Sequence, residues 1–341
     1  MARILLTGGL GYIGSHTAVE LLSAGHDLTI VDNLHNSSKE VLKGIREISG
    51  AEPDFFEIDL SERQAVIDLF NECGLFDGII HFAAFKAVGE SVEKPLEYYS
   101  NNLCSLIYLM QEMVKRGMPN LIFSSSCTVY GEPEILPVTE KTPRQSAISP
   151  YGNTKQVGED IIRDACESHP LQVSALRYFN PIGAHPSALI GELPAGVPQN
   201  LVPFVTQTAA GKRDCLSVFG NDYDTRDGTN IRDYIHVVDL ARAHVVAMER
   251  LLASNDQLGF EVFNLGTGKG SSVLEVIQSF EKVSGQKLNY RIVERRRGDV
   301  TAAYADTTKA NEVLGWTAQY DLDDAMRDAW RWEKKIRKIE G

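Results

Sequence analysis

The sequence predicts an α/β protein: a doubly wound parallel sheet followed by a smaller, mixed α/β C-terminal substrate domain. Three observations carry this. Short apolar runs alternate with helix-like stretches through the first 180 residues, a glycine-rich turn follows the first run, and the texture changes beyond residue 180. The strand-like runs fall at 4–7, 28–31, 54–58, 78–82, 121–125 and 172–177. Helix-like segments separate them near 12–24, 37–48, 61–72, 95–116 and 152–168. Parallel strands need such crossovers, and right-handed crossovers cover both faces of the sheet.

Beyond this half, Pro181, Gly183, Pro186, Gly191, Pro194, Gly196 and Pro198 crowd into residues 181–200. That density of breakers predicts a long, irregular binding loop or linker. A second polar loop covers 221–230. A helix is predicted over 237–252, an apolar strand over 261–265 that ends in Gly266-Thr267-Gly268, and another helix over 273–283. Lys334-Lys335-Ile336-Arg337-Lys338 reads either as the solvated end of the last helix or as a basic recognition tail.

Composition narrows the function classes. The chain has 341 residues, 34 basic and 46 acidic, for a net charge of −12. With 43% hydrophobic and 23% charged residues it is ordinary globular material, long enough for about two domains. The acidic balance argues against nucleic acid or an anionic membrane as the main partner, so an anionic ligand must be held by local cations. Cys73, Cys104, Cys127, Cys166 and Cys215 are odd in number, widely spaced and without a C-x-x-C. Neither a disulfide framework nor a thiolate metal site is expected. Met1-Ala2-Arg3 leads straight into the first strand without a signal-peptide pattern, and no apolar run reaches the roughly 18 residues of a membrane span. A cytoplasmic, reduced, soluble protein is expected.

Gly8, Gly11 and Gly14 lie in Thr7-Gly8-Gly9-Leu10-Gly11-Tyr12-Ile13-Gly14, directly after the first strand. This spacing lets the backbone approach a pyrophosphate and lets the next helix pack closely on the sheet. The helix N-terminus then offers free N–H groups to the phosphates. Asp32 ends the second strand, 24 residues after Gly8. A carboxylate there accepts from both ribose hydroxyls of an adenosine and repels a 2′-phosphate. The pattern points to a Rossmann domain that takes NAD rather than NADP. Asp59, after the third strand, fits an adenine-edge contact or a helix N-cap before Ser61-Glu62. The small residues that follow Phe82, Ala83 and Ala84, let a cofactor pass close by; Lys86 is either a phosphate or ribose ligand or a solvated lysine.

The fifth strand ends in Ser124-Ser125-Ser126, and Pro150-Tyr151-Gly152-Asn153-Thr154-Lys155 opens the next helix. Residues four apart share a helix face, so Lys155 stands one turn from Tyr151. A phenol titrates near 10 and is a poor base at neutral pH. A nearby ammonium, with the positive nicotinamide ring, would lower it by about 3 units and make Tyr151 a general base. A serine at the strand end would relay the proton.

These residues resemble the extended short-chain dehydrogenase/reductase superfamily. Within it, Ser124-Ser125-Ser126-Cys127-Thr128-Val129-Tyr130-Gly131, Arg177-Tyr178-Phe179-Asn180-Pro181, Phe219-Gly220-Asn221-Asp222-Tyr223 and Arg232-Asp233-Tyr234-Ile235-His236-Val237 are similar to the UDP-glucose 4-epimerase family. The likeness runs from Gly8 to Trp316, and Asn33, Asn36, Glu90-Ser91-Val92 and Asn101-Asn102 fit it as well. The resemblance implies an NAD-dependent isomerase of galactose metabolism, cytoplasmic and homodimeric. It would interconvert UDP-glucose and UDP-galactose through a 4-keto sugar. Ser126, Tyr151 and Lys155 are then catalytic. The implied cofactor set is Gly8, Gly11, Tyr12, Ile13, Gly14, Asp32, Asn33, Asn36, Ser37, Asp59, Leu60, Phe82, Ala83, Ala84, Lys86, Asn101, Ser124, Tyr151, Lys155 and Tyr178. The UDP-hexose would meet Lys86, Ser126, Tyr151, Phe179, Asn180, Asn200, Leu201, Ser217, Phe219, Arg232, Arg296, Asp299 and Ala303, with no metal.

Chemistry adds that a diphosphate needs cations, and Arg232 and Arg296 offer bidentate forks. Arg295-Arg296-Arg297 has a second reading as a solvated charge run. Ala303 matches the position where family members carry a tyrosine or a small residue, so UDP-N-acetylglucosamine is expected to fit too; a shift of one residue would put Tyr304 there instead. The expected division is an NAD-binding domain over 1–180, joined by part of 232–268, and a nucleotide-sugar-binding domain over 181–341. The implied homodimer would pack helices 95–116 and 152–168 as a four-helix bundle. The rival readings are another NAD-dependent nucleotide-sugar epimerase, a nucleotide-sugar 4,6-dehydratase, which needs acidic groups beside Ser126 where Cys127-Thr128 stand, and a non-catalytic NAD sensor.

Overall fold

The computed structural model describes every residue except Ala195, Arg297, Gly298, Glu340 and Gly341. The first half alternates as β1 (Arg3–Thr7), α1 (Tyr12–Ser23), β2 (Asp27–Asp32), α2 (Val41–Ser49), β3 (Asp54–Glu57), α3 (Arg63–Cys73) and β4 (Gly78–His81). It continues through α4 (Val88–Glu93), α5 (Pro95–Arg116), β5 (Asn120–Ser124), α6 (Pro150–Ser168) and β6 (Gln172–Tyr178). Then come β7 (Asn180–Ile182), α7 (Leu201–Ala209), β8 (Leu216–Phe219), β9 (Ile231–His236), α8 (Val237–Ala253) and β10 (Phe260–Leu265). The chain closes with β11 (Gly270–Ser272), α9 (Val273–Ser284), β12 (Tyr290–Val293), β13 (Ala302–Ala303) and α10 (Leu322–Arg337).

The large sheet has seven strands in the order β3-β2-β1-β4-β5-β6-β10, all parallel. Its strands are apolar on both faces because both faces are covered. Ile4, Leu6, Ile30, Ile80, Ile122, Leu176 and Phe263 point to one layer, where α1, α2 and α8 supply Ala18, Leu21, Ile45, Leu240 and Met248. Leu5, Val31, Ile79, Leu121, Phe123, Val173 and Ala175 point to the other, against Val66, Leu69, Leu106, Met113 and Ile162 of α3, α5 and α6. Each such aliphatic side chain contributes about 1.5–3 kcal/mol by leaving water. Strand order reverses between β1 and β4, which opens a crevice at the carboxyl ends of the strands.

The second half builds a smaller layer. In one small sheet β9 pairs with β7, β11 and β13; β8 and β12 pair with each other. Val202, Val205, Leu216, Val218, Ile277, Phe280, Met326 and Trp330 form its core. β7, β8, β11, β12 and β13 are too short for periodicity to reveal, and β9, α4, α7 and the full α10 were not legible either. The helix expected from residue 37 begins at Val41, because Ser37 is drawn away to donate to Asp32 Oδ1 at 2.7 Å. The helix expected from 152 begins earlier, at Pro150, where Ser149 caps it by accepting from Gly152 N at 3.1 Å. No helix among the described residues is long and apolar enough to cross a membrane.

His16, His81 and His244 are buried in these layers, and burial pushes their pKa values down to about 3, 3 and 4. The unfolded chain protonates them near 6.5, so between that pH and the folded values it binds more protons than the native state. Stability is therefore expected to fall as pH drops below 6.5, by up to about 1.4 kcal/mol per pH unit for each histidine. Urea unfolding at pH 7.5 and 5.5 checks this, and His81→Asn should flatten the dependence.

Candidate active site

The glycine turn is dictated by contact. Gly8 has φ +66°, and a Cβ on it would lie 2.8 Å from Ala83 N; on Gly14 it would lie 2.2 Å from Gly8 O. Without side chains here, α1 begins flush with the strand ends. Gly11 is its N-cap and offers no side-chain acceptor, and the first turn carries no acid. The first N–H groups of the helix are left for an anion. Asp32 Oδ1 accepts from Leu34 N at 2.9 Å and from Ser37 Oγ, while among the described residues Oδ2 accepts only from Leu10 N at 3.0 Å. One lone pair of Oδ2 thus remains for a ligand hydroxyl. Asp59 Oδ1 accepts from Ser61 N at 2.8 Å and Ser61 Oγ at 2.7 Å, and Oδ2 accepts from Asn33 Nδ2 at 3.2 Å. Burial works to raise its pKa, yet these bonds outweigh it and hold the carboxyl below its usual range. Asp59 therefore does cap the local turn while also lining the crevice. A dinucleotide fits this cradle: a backbone groove that any Cβ would fill, an uncapped helix N-terminus and a carboxylate with an open acceptor.

The crevice continues into the second half as one cleft of about 1890 Å³. Every residue of the expected cofactor set lines it, including Tyr12, Ile13, Asn36, Leu60, Phe82, Ala84, Asn101, Ser124 and Tyr178. Tyr151 and Lys155 enter from the first turns of α6. Lys155 Nζ donates to Ser124 O at 2.7 Å and lies 5.9 Å from the centre of the Tyr151 ring. Ser124 Oγ and Tyr178 OH are hydrogen-bonded at 2.7 Å. Ser126 caps a single helical turn at Cys127–Tyr130, its Oγ accepting from Thr128 N at 3.2 Å. Burial pushes Lys155 down to about 8, with Glu159 opposing.

For Tyr151, the expected lowering counted on the positive nicotinamide ring as well as the ammonium. Its pKa is raised, by burial first and by Tyr178 next, with Ser126 pulling the other way. In the protein without that ring, burial dominates and Lys155 is turned to the Ser124 backbone carbonyl.

On the far wall stand Asn180, Asn200, Leu201, Ser217, Phe219, Arg232, Arg296, Asp299 and Ala303. Arg296 Nη2 donates to Asp299 Oδ1 at 2.7 Å, and Arg232 Nη2 lies 3.7 Å from the same oxygen. Arg295 turns away to Asp222, its Nε donating to Oδ1 at 2.7 Å, so the arginine run is split between cleft and surface. Arg297 and Gly298 of that run lie outside the described residues. Phe179 follows the cleft-lining Tyr178 and faces the opposite way, into a cluster with Val129, Tyr130 and Val138. Neither it nor Ser126 is among the cleft-wall residues.

A family model described as GDP-mannose 4,6 dehydratase matches residues 5–329. UDP-glucose 4-epimerase of Bacillus subtilis is 52% identical over 97% of this chain and 96% of its own length. The crystal structure of UDP-glucose-4-epimerase from Stenotrophomonas maltophila, with bound NAD and formylated UDP-arabinopyranose, is 46% identical over 100% of both chains with a TM-score of 0.95. That of the Bifidobacterium longum enzyme, in complex with NAD+ and UDP, is 46% identical over 98% of this chain and 99% of that one, with a TM-score of 0.93. The chain belongs to the UDP-glucose 4-epimerase family.

Within this epimerase fold the sequence reasoning missed two carboxylates. Glu192 Oε1 accepts from Asn200 Nδ2 at 2.6 Å and faces Lys86 Nζ at 3.4 Å, while its backbone carbonyl accepts from Trp332 Nε1 at 2.9 Å. It sits in the proline- and glycine-rich loop, where no periodicity marks it. Glu159 did leave a signal, standing four residues after Lys155 on the same helix face.

Gly14→Ala is expected to force the turn open and to lower stability by about 1–3 kcal/mol. The purified variant should carry no dinucleotide when denatured and chromatographed, whereas the parent releases it.

Proposed function

We propose that the chain interconverts UDP-glucose and UDP-galactose by inverting C4 of the hexose, with NAD retained from cycle to cycle. The observation that carries this is the meeting of Tyr151, Lys155 and Ser124 with a glycine cradle on one side and the Arg232–Arg296 wall on the other, in a single cleft. NAD, when bound in this cleft, would supply the hydride acceptor and donor that inversion at C4 requires. Gly8, Gly11, Gly14 and Asp32 would hold its adenosine and pyrophosphate; Lys155, Tyr178 and Ser124 would hold the nicotinamide half.

Tyr151 Oη takes the 4-hydroxyl proton and later gives it back, with Ser126 Oγ as relay. Its raised pKa means that cationic charge must reach the phenol in the loaded cleft. Lys155 contributes that charge only below about pH 8, where it keeps its proton. Arg232 and Arg296 grip the diphosphate through their forks, drawing on charge that Asp299 neutralises in the free protein. The grip falls on UDP, so the hexose is left to turn over as the 4-keto sugar.

Dehydration of a nucleotide sugar, the chemistry in the matched model's description, needs an acid beside Ser126. Cys127 and Thr128 stand there, and burial pushes the Cys127 thiol up to about 11. Ala303 supports acceptance of N-acetylhexosamines. It lines the cleft, while Tyr304 packs on Gly270, where an added Cβ would lie 3.1 Å from Tyr304 Cδ1. The same proposal holds the cofactor in residues 1–180 with part of 232–268, and the nucleotide sugar in 181–341. It includes a cytoplasmic role in galactose metabolism and a homodimer through α5 and α6. Those helices lie side by side, with Leu96 of α5 exposed.

Purified protein given UDP-galactose without added cofactor is expected to form UDP-glucose, identified by chromatography; bound NAD with no turnover would mark a sensor instead. Tyr151→Phe should lower kcat by about 10²–10⁴-fold with NAD still bound. Ala303→Tyr should abolish epimerisation of UDP-N-acetylglucosamine and spare UDP-glucose; equal loss on both sugars would refute the role of Ala303.

A further inference from the structure

A buried ion pair lies directly beneath the proton-transfer residues. Glu159 follows Lys155 by one helical turn and Tyr151 by two, so the three share a face of α6. Its carboxylate is fully buried. Oε1 accepts from Ser125 Oγ at 2.6 Å and from Arg177 Nε at 2.8 Å, and Oε2 accepts from Arg177 Nη2 at 2.5 Å. Arg177 Nη1 donates to Tyr130 OH at 2.9 Å, and that hydroxyl donates to Asn264 Oδ1 at 2.6 Å. Every anchor adjoins a group of the reaction. Ser125 lies between Ser124 and Ser126, Arg177 precedes Tyr178, and Tyr130 closes the turn that Ser126 caps.

We propose that the Glu159–Arg177 pair is the positioning device of the proton-transfer set, tying α6 to the ends of β5 and β6 and keeping the net charge beneath Lys155 at zero. This rests on the epimerase reading above. A buried pair of this kind is a weak source of stability, since apolar residues of equal volume often do as well. Its geometric effect is more specific, because a bidentate fork fixes both partners in a plane. Its charge balance matters because little solvent separates it from the site. The direction of the Lys155 shift agrees: burial lowers it, and Glu159 is the group that resists.

Other charged and titratable groups face the pair and the two reacting side chains, among them Glu140, whose Oε1 accepts from Asn264 N at 2.7 Å and which acts on Tyr130. Arg144, on the loop before α6, lies 3.8 Å from Glu159 Oε2 and is held by Asp160. His81 on β4 is kept neutral by burial. Tyr98, Cys127, Tyr130 and Tyr178 all have raised pKa values, burial being the largest cause for each. Removing one partner of the pair therefore leaves an uncompensated charge beneath the site.

The test is the pH dependence of kcat/KM for UDP-galactose in NAD-loaded wild type, Glu159→Gln, Arg177→Met and the double variant. Glu159→Gln leaves a lone guanidinium, which favours loss of protons from Lys155 and Tyr151; both limbs should move to lower pH by about one unit. Arg177→Met leaves a lone carboxylate, and both limbs should move up. The double variant should bring the limbs back while kcat stays at least tenfold down, because the tie is gone. Unmoved or upward limbs in Glu159→Gln, or downward limbs in Arg177→Met, would overturn the proposal. Should the single variants be recovered unfolded, Glu159→Asp and Arg177→Lys carry the test, since they keep both charges. A lowered kcat with limbs in place supports the role; wild-type kcat in both overturns it. Wild type inactive on UDP-galactose would instead sink the epimerase reading, a result separable from any difference among variants.

Discussion

The contact between Gly14 and the carbonyl of Gly8 underlies the whole arrangement. Because no side chain separates them, α1 starts at the tip of β1, and its uncapped N-terminus opens into the crevice where strand order reverses. The ends of β2, β4, β5 and β6 converge on the same crevice. They bring Asp32, Phe82, Ser124 and Tyr178 to its wall from positions far apart in the chain. A larger residue at either glycine would lift the helix and separate these groups.

Charge in the cleft follows a second constraint. The protein is acidic overall, yet its cleft holds Lys86, Lys155, Arg232 and Arg296. Each cation is held by an acceptor in the free state. Lys86 faces Glu192, Lys155 donates to a backbone carbonyl, and the two arginines share Asp299. An anion taken by any of these cations would have to share or displace that internal acceptor.

Much of this was legible in the residues. The glycine spacing with Asp32, and the four-residue step from Tyr151 to Lys155, are local patterns whose geometry follows from one turn and one helix. The main strands were legible because burial on both faces makes them continuously apolar. The short strands of the second half were not, since two to four residues carry no period. Glu192 was hidden for a related reason: a loop residue acquires its partners only when Lys86, Asn200 and Trp332 arrive from elsewhere in the chain.

Sequence alone determined the fold class, the glycine turn and the one-turn step from Tyr151 to Lys155, because strand–helix alternation, a tight turn and a helical step are all patterns of neighbouring residues. Tertiary structure decided their electrostatic state. It buried Tyr151 so that its phenol is harder to ionise, turned Lys155 onto the Ser124 carbonyl, and sent Arg295 and Arg296 in opposite directions. Desolvation and partner geometry arise only when distant segments pack, so no local pattern could have announced them.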